Sequence, residues 1–214
     1  MSPRKTREER KAEKTKYLGV RIQHHPEELE YLWNHLDATA PKTVVEIGTA
    51  TGGLSVIFGL WCHLNDAHTV TIDITSRKQY NFHKKILREL GVTRIVANAW
   101  KPRTVESVRE MLEHPAFIYC DGGNKKMDLD IYAPLLEEGD YIACHDSNNP
   151  RMRNALKKLS KKHGLTTVDT HLKIAVMRKV LNKDKEKTEK VLNRHTYRVE
   201  HDSRGAYQNE ALHT

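Results

Sequence analysis

The sequence predicts an α/β domain: a three-layer sandwich in which helices cover both faces of a mostly parallel seven-stranded sheet, closed by a terminal antiparallel hairpin. Three observations carry this expectation. Short β-like apolar runs alternate with longer stretches of helical periodicity, as in strands joined by crossover helices. The first run, TVVEIG, breaks into small residues just before a helical run, LSVIFGLW. The last two runs are separated by only a few residues around His171, too few for the dozen or more that a parallel crossover needs.

In order, the predicted strands are TVVEIG (43–48), HTVTIDI (68–74), RIVAN (94–98), AFIYCDG (116–122), DYIACHD (140–146), TTVDT (166–170) and KIAVMRKV (173–180). Helices are predicted near 53–65, 77–90, 103–113, 128–138 and 150–163. Five strand–helix units closed by a hairpin give a Rossmann-like sheet with one reversed strand, rather than the two equal halves of a dinucleotide fold. Ahead of them, PEELEYLWNHLDAT (26–39) places Leu29, Leu32, Trp33 and Leu36 on one helical face, which is expected to cover the sheet or a neighbouring subunit of a homo-oligomer.

A chain of 214 residues suits one domain with tails: a basic N-terminal extension (1–25), a core (26–180) and a polar C-terminal tail (181–214) with a Lys/Glu-rich segment. No apolar stretch approaches the roughly 20 residues of a spanning helix, so no membrane association is expected. The basic N-terminus is followed by no apolar run, which argues against a secretory signal and points to the cytoplasm. Cys62, Cys120 and Cys144 lie in apolar runs without metal-ligand spacing and read as buried reduced thiols.

The formal charge is +8, and it is clustered. Residues 1–16 carry seven Lys/Arg against three Glu, and 150–164 carries Arg151, Arg153, Lys157, Lys158, Lys161 and Lys162 with no acid. In the latter stretch Met152, Ala155, Leu156 and Leu159 recur at helical spacing, leaving the bases to solvent. Such an excess raises affinity for polyanions without identifying one.

The chemistry concentrates at the carboxyl ends of the strands. A dinucleotide loop needs GxGxxG, but Gly48-Thr49-Ala50-Thr51-Gly52-Gly53 has Ala50 at the second glycine. Glu46, read as pointing out of the strand end, would repel a pyrophosphate and attract an ammonium group. The pattern Glu46-x-Gly48-x-x-x-Gly52 resembles motif I of class I S-adenosylmethionine-dependent methyltransferases, whose cofactor carries a cationic sulfonium and amino group. Under that resemblance Glu46 and residues 48–53 hold the amino-acid end. Asp73, 25 positions after Gly48, accepts the ribose hydroxyls with Ile74 beside it, and Asn98, Ala99 and Trp100 meet the adenine. Asp73 alone would serve a dinucleotide equally well.

Asp121 in FIYCDGGNKK and His145-Asp146 in YIACHDSNN end two further strands at the same edge. Two carboxylates and an imidazole there suit a hard cation. The segment DGGNKKMDLDIYAPLLEEGDYIACHDSN resembles the cephalosporin hydroxylase and rhamnosyl O-methyltransferase-like group and, more distantly, catechol O-methyltransferase. This resemblance implies a methyltransferase domain over 26–180 and a divalent cation, Mg²⁺ or another, on Asp121 and Asp146. His145 takes the remaining position, where an acid is usual. Asp121 also borders the cofactor. Catechol-type enzymes carry a lysine three residues after the first acid; here Asn124 stands there, with Lys125 and Lys126 following.

The implied activity is O-methylation of a hydroxylated small molecule or glycan with vicinal oxygens. Its catalytic set is Asp121, Lys125, His145 and Asp146, with Lys125 or His145 as general base. Three alternatives stay open. Nucleic-acid methylation would use the basic 150–163 helix, but DGGN replaces the (D/N)PP(Y/F/W) run of base amino-methyltransferases. A methyltransferase-like protein could bind without catalysis, although four acids at one edge argue otherwise. An NAD-dependent oxidoreductase is disfavoured by Ala50 and the hairpin.

Overall fold

A computed structural model of the chain describes residues 16–17, 20–75 and 80–180. The expected C-terminal tail, most of the N-terminal extension and the start of the helix predicted from 77 lie outside the described residues. In chain order the elements are a small ribbon, β1 (Lys16–Tyr17) and β2 (Val20–Arg21), then α1 (Pro26–Thr39), β3 (Thr43–Ile47), α2 (Gly53–Leu64), β4 (His68–Asp73) and α3 (Tyr80–Glu89). There follow β5 (Thr93–Val96), α4 (Pro102–Met111), β6 (Ala116–Cys120), α5 (Lys125–Tyr132) with a 3₁₀ turn (Ala133–Leu135), β7 (Tyr141–Cys144), α6 (Pro150–His163), β8 (Leu165–His171) and β9 (Ile174–Lys179).

Strands β3 to β9 form one sheet in the order β5-β4-β3-β6-β7-β9-β8. Every pairing is parallel except those of β9, which runs antiparallel to both β7 and β8. The expected sheet with one reversed strand is therefore present. The helix predicted from 128 begins earlier, at Lys125, because the Asn124 side chain accepts the Met127 N–H and caps it. It gives way to the 3₁₀ turn where Pro134 removes a backbone donor.

β3 and β6 are buried at every position, as parallel strands covered on both faces must be. The period-two alternation sorts their side chains. Val45, Ile47, Ile118 and Ile142 pack with Val108, Leu129 and Leu156 beneath α4, α5 and α6. On the other face Val44, Phe117 and Val176 meet Leu32 and Leu36 of α1 and Phe58 and Trp61 of α2. α1 thus covers this chain's own sheet. Ile22, ahead of the expected boundary at 26, joins the same cluster. The three cysteines are buried and free, as expected.

α6 begins at Pro150 with Asn149 as its cap and ends at Gly164, in the left-handed region at φ 68°. Leu156 and Leu159 are buried while the six bases are exposed, with Lys162 Nζ 2.7 Å from Asp130. Among the described residues no helix is long and apolar enough to cross a membrane.

Chain order reverses between β3 and β6, so the crevice for a ligand lies outside their carboxyl ends. Gly48 sets its floor. A Cβ at this position would stand 2.6 Å from the Asp121 carbonyl oxygen and 3.0 Å from the Gly122 nitrogen, and its φ of 106° also disfavours a side chain. Gly48→Ala should therefore destabilise the protein by about 2–4 kcal/mol. Urea denaturation of both proteins measures this; equal midpoints would mean that the ends of β3 and β6 do not touch.

Candidate active site

The turn after β3 is a succession of positive φ values: 106° at Gly48, 47° at Ala50 and 84° at Gly52. Ala50 therefore adopts a left-handed conformation that normally favours glycine. Asp73 holds it there, its Oδ2 accepting the Ala50 N–H at 2.8 Å while Oδ1 accepts the Thr75 N–H at 3.1 Å. Asp73, at the end of β4, is thus joined to the turn by hydrogen bonding.

Glu46 requires a correction. It does not project from the strand end but is 1% exposed within β3, between Thr71 of β4 and Tyr119 of β6. Its parity turns it towards the start of α2, where Oε2 accepts hydrogen bonds from the Ser55 and Thr71 hydroxyls. Burial pushes its carboxyl up to about 7 against the pull of those two hydroxyls. The side chain still borders the cavity outside the sheet, together with Gln23, His24, the Gly48–Thr51 turn and Asp121.

A second group of side chains gathers around Asp121. Its Oδ1 lies 3.2 Å from Lys125 Nζ and 3.3 Å from His145 Nδ1, and its Oδ2 lies 3.5 Å from His24 Nε2. Lys125 also reaches Asp146 Oδ2 at 3.2 Å and donates to the Gly122 carbonyl at 3.1 Å. On its far side His145 Nε2 stands 3.6 Å from Glu28 Oε1 of α1, an ion-pair distance rather than a hydrogen bond, and has no hydrogen-bond partner. The Asp121, Lys125, His145 and Asp146 side chains are therefore brought together.

These contacts set the charges. Burial alone would lower His145, but Asp121 and Glu28 outweigh it and raise the imidazole to about 9. Burial disfavours the Lys125 ammonium, yet the carboxylates of Asp121 and Asp146 shift it upwards. Asp121 is lowered despite burial, chiefly by His145 and then by His24 and Lys125. His24 goes the other way: burial lowers it, against the attraction of Asp121. At neutral pH the cluster thus holds protonated His145 and Lys125 beside an uncharged His24.

Asn98, Ala99 and Trp100 lie on the turn between β5 and α4, and their hydrogen bonds point elsewhere. Asn98 Oδ1 accepts the Trp100 N–H, the Ala99 carbonyl accepts the Tyr132 hydroxyl, and the indole N–H donates to Asp128 at 2.7 Å. Ile74, just beyond β4, is 65% exposed. His24, Glu28, Ser55, Thr71 and Tyr119 were not anticipated from the sequence. Only the pair His24-His25 before the Pro26 helix start offered a local signal.

The shift at Glu46 predicts a pH dependence of stability. A carboxyl raised in the folded state contributes stability fully below its unfolded value of 4.5, and this is lost as pH rises through about 7. The loss amounts to about 3 kcal/mol. Glu46→Gln, neutral throughout, should remove it. Denaturation midpoints of both proteins at pH 5 and pH 8 measure the difference; parallel pH profiles would place the shift elsewhere.

Comparison with known proteins follows this geometry. The family model described as rhamnosyl O-methyltransferase/CmcI matches residues 9–195. No curated protein matches the chain in sequence. Among solved structures, CmcI in its apo form is 22% identical with a TM-score of 0.63, covering 84% of this chain and 86% of its own. CmcI bound to magnesium and S-adenosylmethionine gives 22% and 0.60, covering 84% and 87%. A Staphylococcus aureus protein assigned as a caffeoyl-CoA O-methyltransferase gives 23% and 0.57, over 75% and 86%. The TDP-rhamnose 3'-O-methyltransferase of calicheamicin biosynthesis gives 16% and 0.55, over 73% and 81%. These structures share the fold, and the family match covers most of the sequence: the chain belongs to the rhamnosyl O-methyltransferase/CmcI family and is a class I S-adenosylmethionine-dependent methyltransferase.

Proposed function

We propose that the chain transfers the methyl group of S-adenosylmethionine to a hydroxyl of a sugar or other polyhydroxylated small molecule. One observation carries this reading: the glycine turn, His24 and Asp121 line a single cavity, and Asp121 in turn contacts Lys125 and His145, so a cofactor on the turn would present its sulfonium near proton-handling groups. The turn and Glu46 would receive the cationic amino-acid end, with Asp73 and Ile74 facing the ribose and adenine. Asn98, Ala99 and Trp100 would border the adenine. Residues 26–180 would form the catalytic domain, with Gln23 and His24 of the preceding segment contributing to it.

Transfer is an in-line displacement: the S–CH₃ bond breaks as the O–CH₃ bond forms, and the acceptor hydroxyl loses its proton. Lys125 and His145 both rest protonated, so neither is ready to accept that proton at neutral pH. An acceptor whose vicinal hydroxyls donate to Asp121 and Asp146 would loosen the hold of those carboxylates on Lys125. Lys125 would then orient the acceptor oxygen and conduct its proton towards the exposed Asp146.

The magnesium-bound relative supports a cation at this site, and the donor set can be tested against it. The Asp121–His145–Asp146 set is the one the resemblance implies, but Asp146 is 52% exposed and, like Asp121, faces Lys125 at 3.2 Å. The group close enough to hold an ion among the described residues is His24, Asp121 and His145. A divalent cation fits there, and when bound it would lower the pKa of an acceptor hydroxyl.

A second acceptor class, nucleic acid, has one observation in its favour: the exposed bases of α6 begin five residues after Asp146. Binding of an oligonucleotide that does not weaken with added salt would remove it.

Isothermal titration with S-adenosylhomocysteine should show binding, and its absence would end the methyl-transfer reading. Lys125→Met should lower kcat by about 10²–10⁴-fold, the usual contribution of a positioned proton-transfer group, while leaving the Kd for S-adenosylhomocysteine nearly unchanged. An equal loss in both would make Lys125 a binding residue instead.

A further inference from the structure

Two imidazoles meet one carboxylate beside the cavity, which His24 and Asp121 line. His24 comes from the segment before α1, Asp121 from the end of β6 and His145 from the end of β7, and one ligand atom from each lies within 4.8 Å of the others. His24 is 5% exposed and His145 12% exposed, so both rings are positioned by packing rather than left to solvent. The rings meet edge to face with centroids 4.8 Å apart, and the Tyr119 hydroxyl is 2.9 Å from His24 Nε2. Asp146 is 52% exposed; its Oδ2 lies 3.2 Å from Lys125 and its Oδ1 3.4 Å from His145 Nδ1, so it flanks the group from the solvent side without being one of the three residues whose ligand atoms converge.

We propose that this chain binds a transition-metal dication through His24, Asp121 and His145, with His24 in the place that an acid-rich magnesium site would give to Asp146. The chemistry of the donors supports the selectivity. Magnesium favours an octahedron of oxygens and keeps several waters, whereas imidazole nitrogens suit manganese, iron, cobalt, nickel and zinc. One carboxylate and two rings, both neutral once the ion has displaced the His145 proton to solvent, also bring less negative charge than a set of three acids, which disfavours a hard ion further. His24 Nε2 would hold the ion at the cost of its 2.9 Å contact with the Tyr119 hydroxyl. Three protein ligands leave open positions for acceptor oxygens. The inference rests on the methyl-transfer reading only in setting the ion beside the cofactor.

The test is titration of the full chain with Co²⁺ alone and with Mg²⁺ alone, following heat and the visible d–d absorption of cobalt. Co²⁺ should bind with an imidazole-type spectrum and much more tightly than Mg²⁺. His24→Ala should weaken Co²⁺ binding at least about tenfold and change the spectrum, since even outer-shell partners of metal ligands cost that much. Asp146→Ala should leave both within about twofold. His24→Gln, which keeps the volume of the side chain, guards against a fold defect, and the same loss is expected from it.

Unchanged Co²⁺ affinity in both His24 variants would overturn the proposal, as would a loss in Asp146→Ala equal to that in His24→Ala. Titration of S-adenosylhomocysteine into the same samples separates the two readings. Cobalt binding without cofactor binding would sink methyl transfer and leave the metal site standing, and the reverse result would do the opposite.

Discussion

The close approach of two strand ends is the constraint on which the rest of the molecule depends. Gly48 lets the chain leaving β3 pass against the backbone of Asp121 and Gly122, where any side chain would collide. This contact brings the glycine turn and the acid after β6 to the same cavity. It also fixes what can follow: the turn must double back through positive φ values, and Asp73 from β4 supplies the acceptor that holds Ala50 in one of them. The sheet sets the relative positions of four strand ends, and the turn after β3, the His24 segment and Lys125 of α5 complete the site around them.

Electrostatics then divides this edge into two regions. On the α2 side a carboxyl is buried among hydroxyls and tends to keep its proton. On the α1 side a carboxylate is surrounded by three basic groups and loses its proton readily. The same functional group, a carboxyl, thus takes opposite character within one cavity, because desolvation governs Glu46 and nearby cations govern Asp121.

Much of the fold was legible in the sequence. α1 and α6 match their expected bounds because Pro26 and Pro150 mark their starts and Ala40 and Gly164 adopt left-handed conformations at their ends. The strands were found as runs but not to the residue, since strand ends depend on pairing partners distant in sequence. Asp121, His145 and Asp146 were legible because parallel strands deliver their terminal residues to one edge. Glu46 was misplaced because the hydroxyls that enclose it, Ser55 and Thr71, lie 9 and 25 residues away and leave no local pattern. His24 was invisible for the same reason: nothing near it in the chain foretells Tyr119 or Asp121.

Glu28 connects these levels. As the third residue of α1 it accepts the His25 N–H through Oε2 at 2.9 Å, while its other oxygen faces His145. Burial would raise its pKa, but His145 and that amide bring it down to about 2. One carboxylate thus secures the start of a helix and supplies counter-charge to the site. Exchange of Glu28 for another residue that starts a helix equally well would still remove that counter-charge, so the chemistry of the site reaches a position whose local role is to begin a helix.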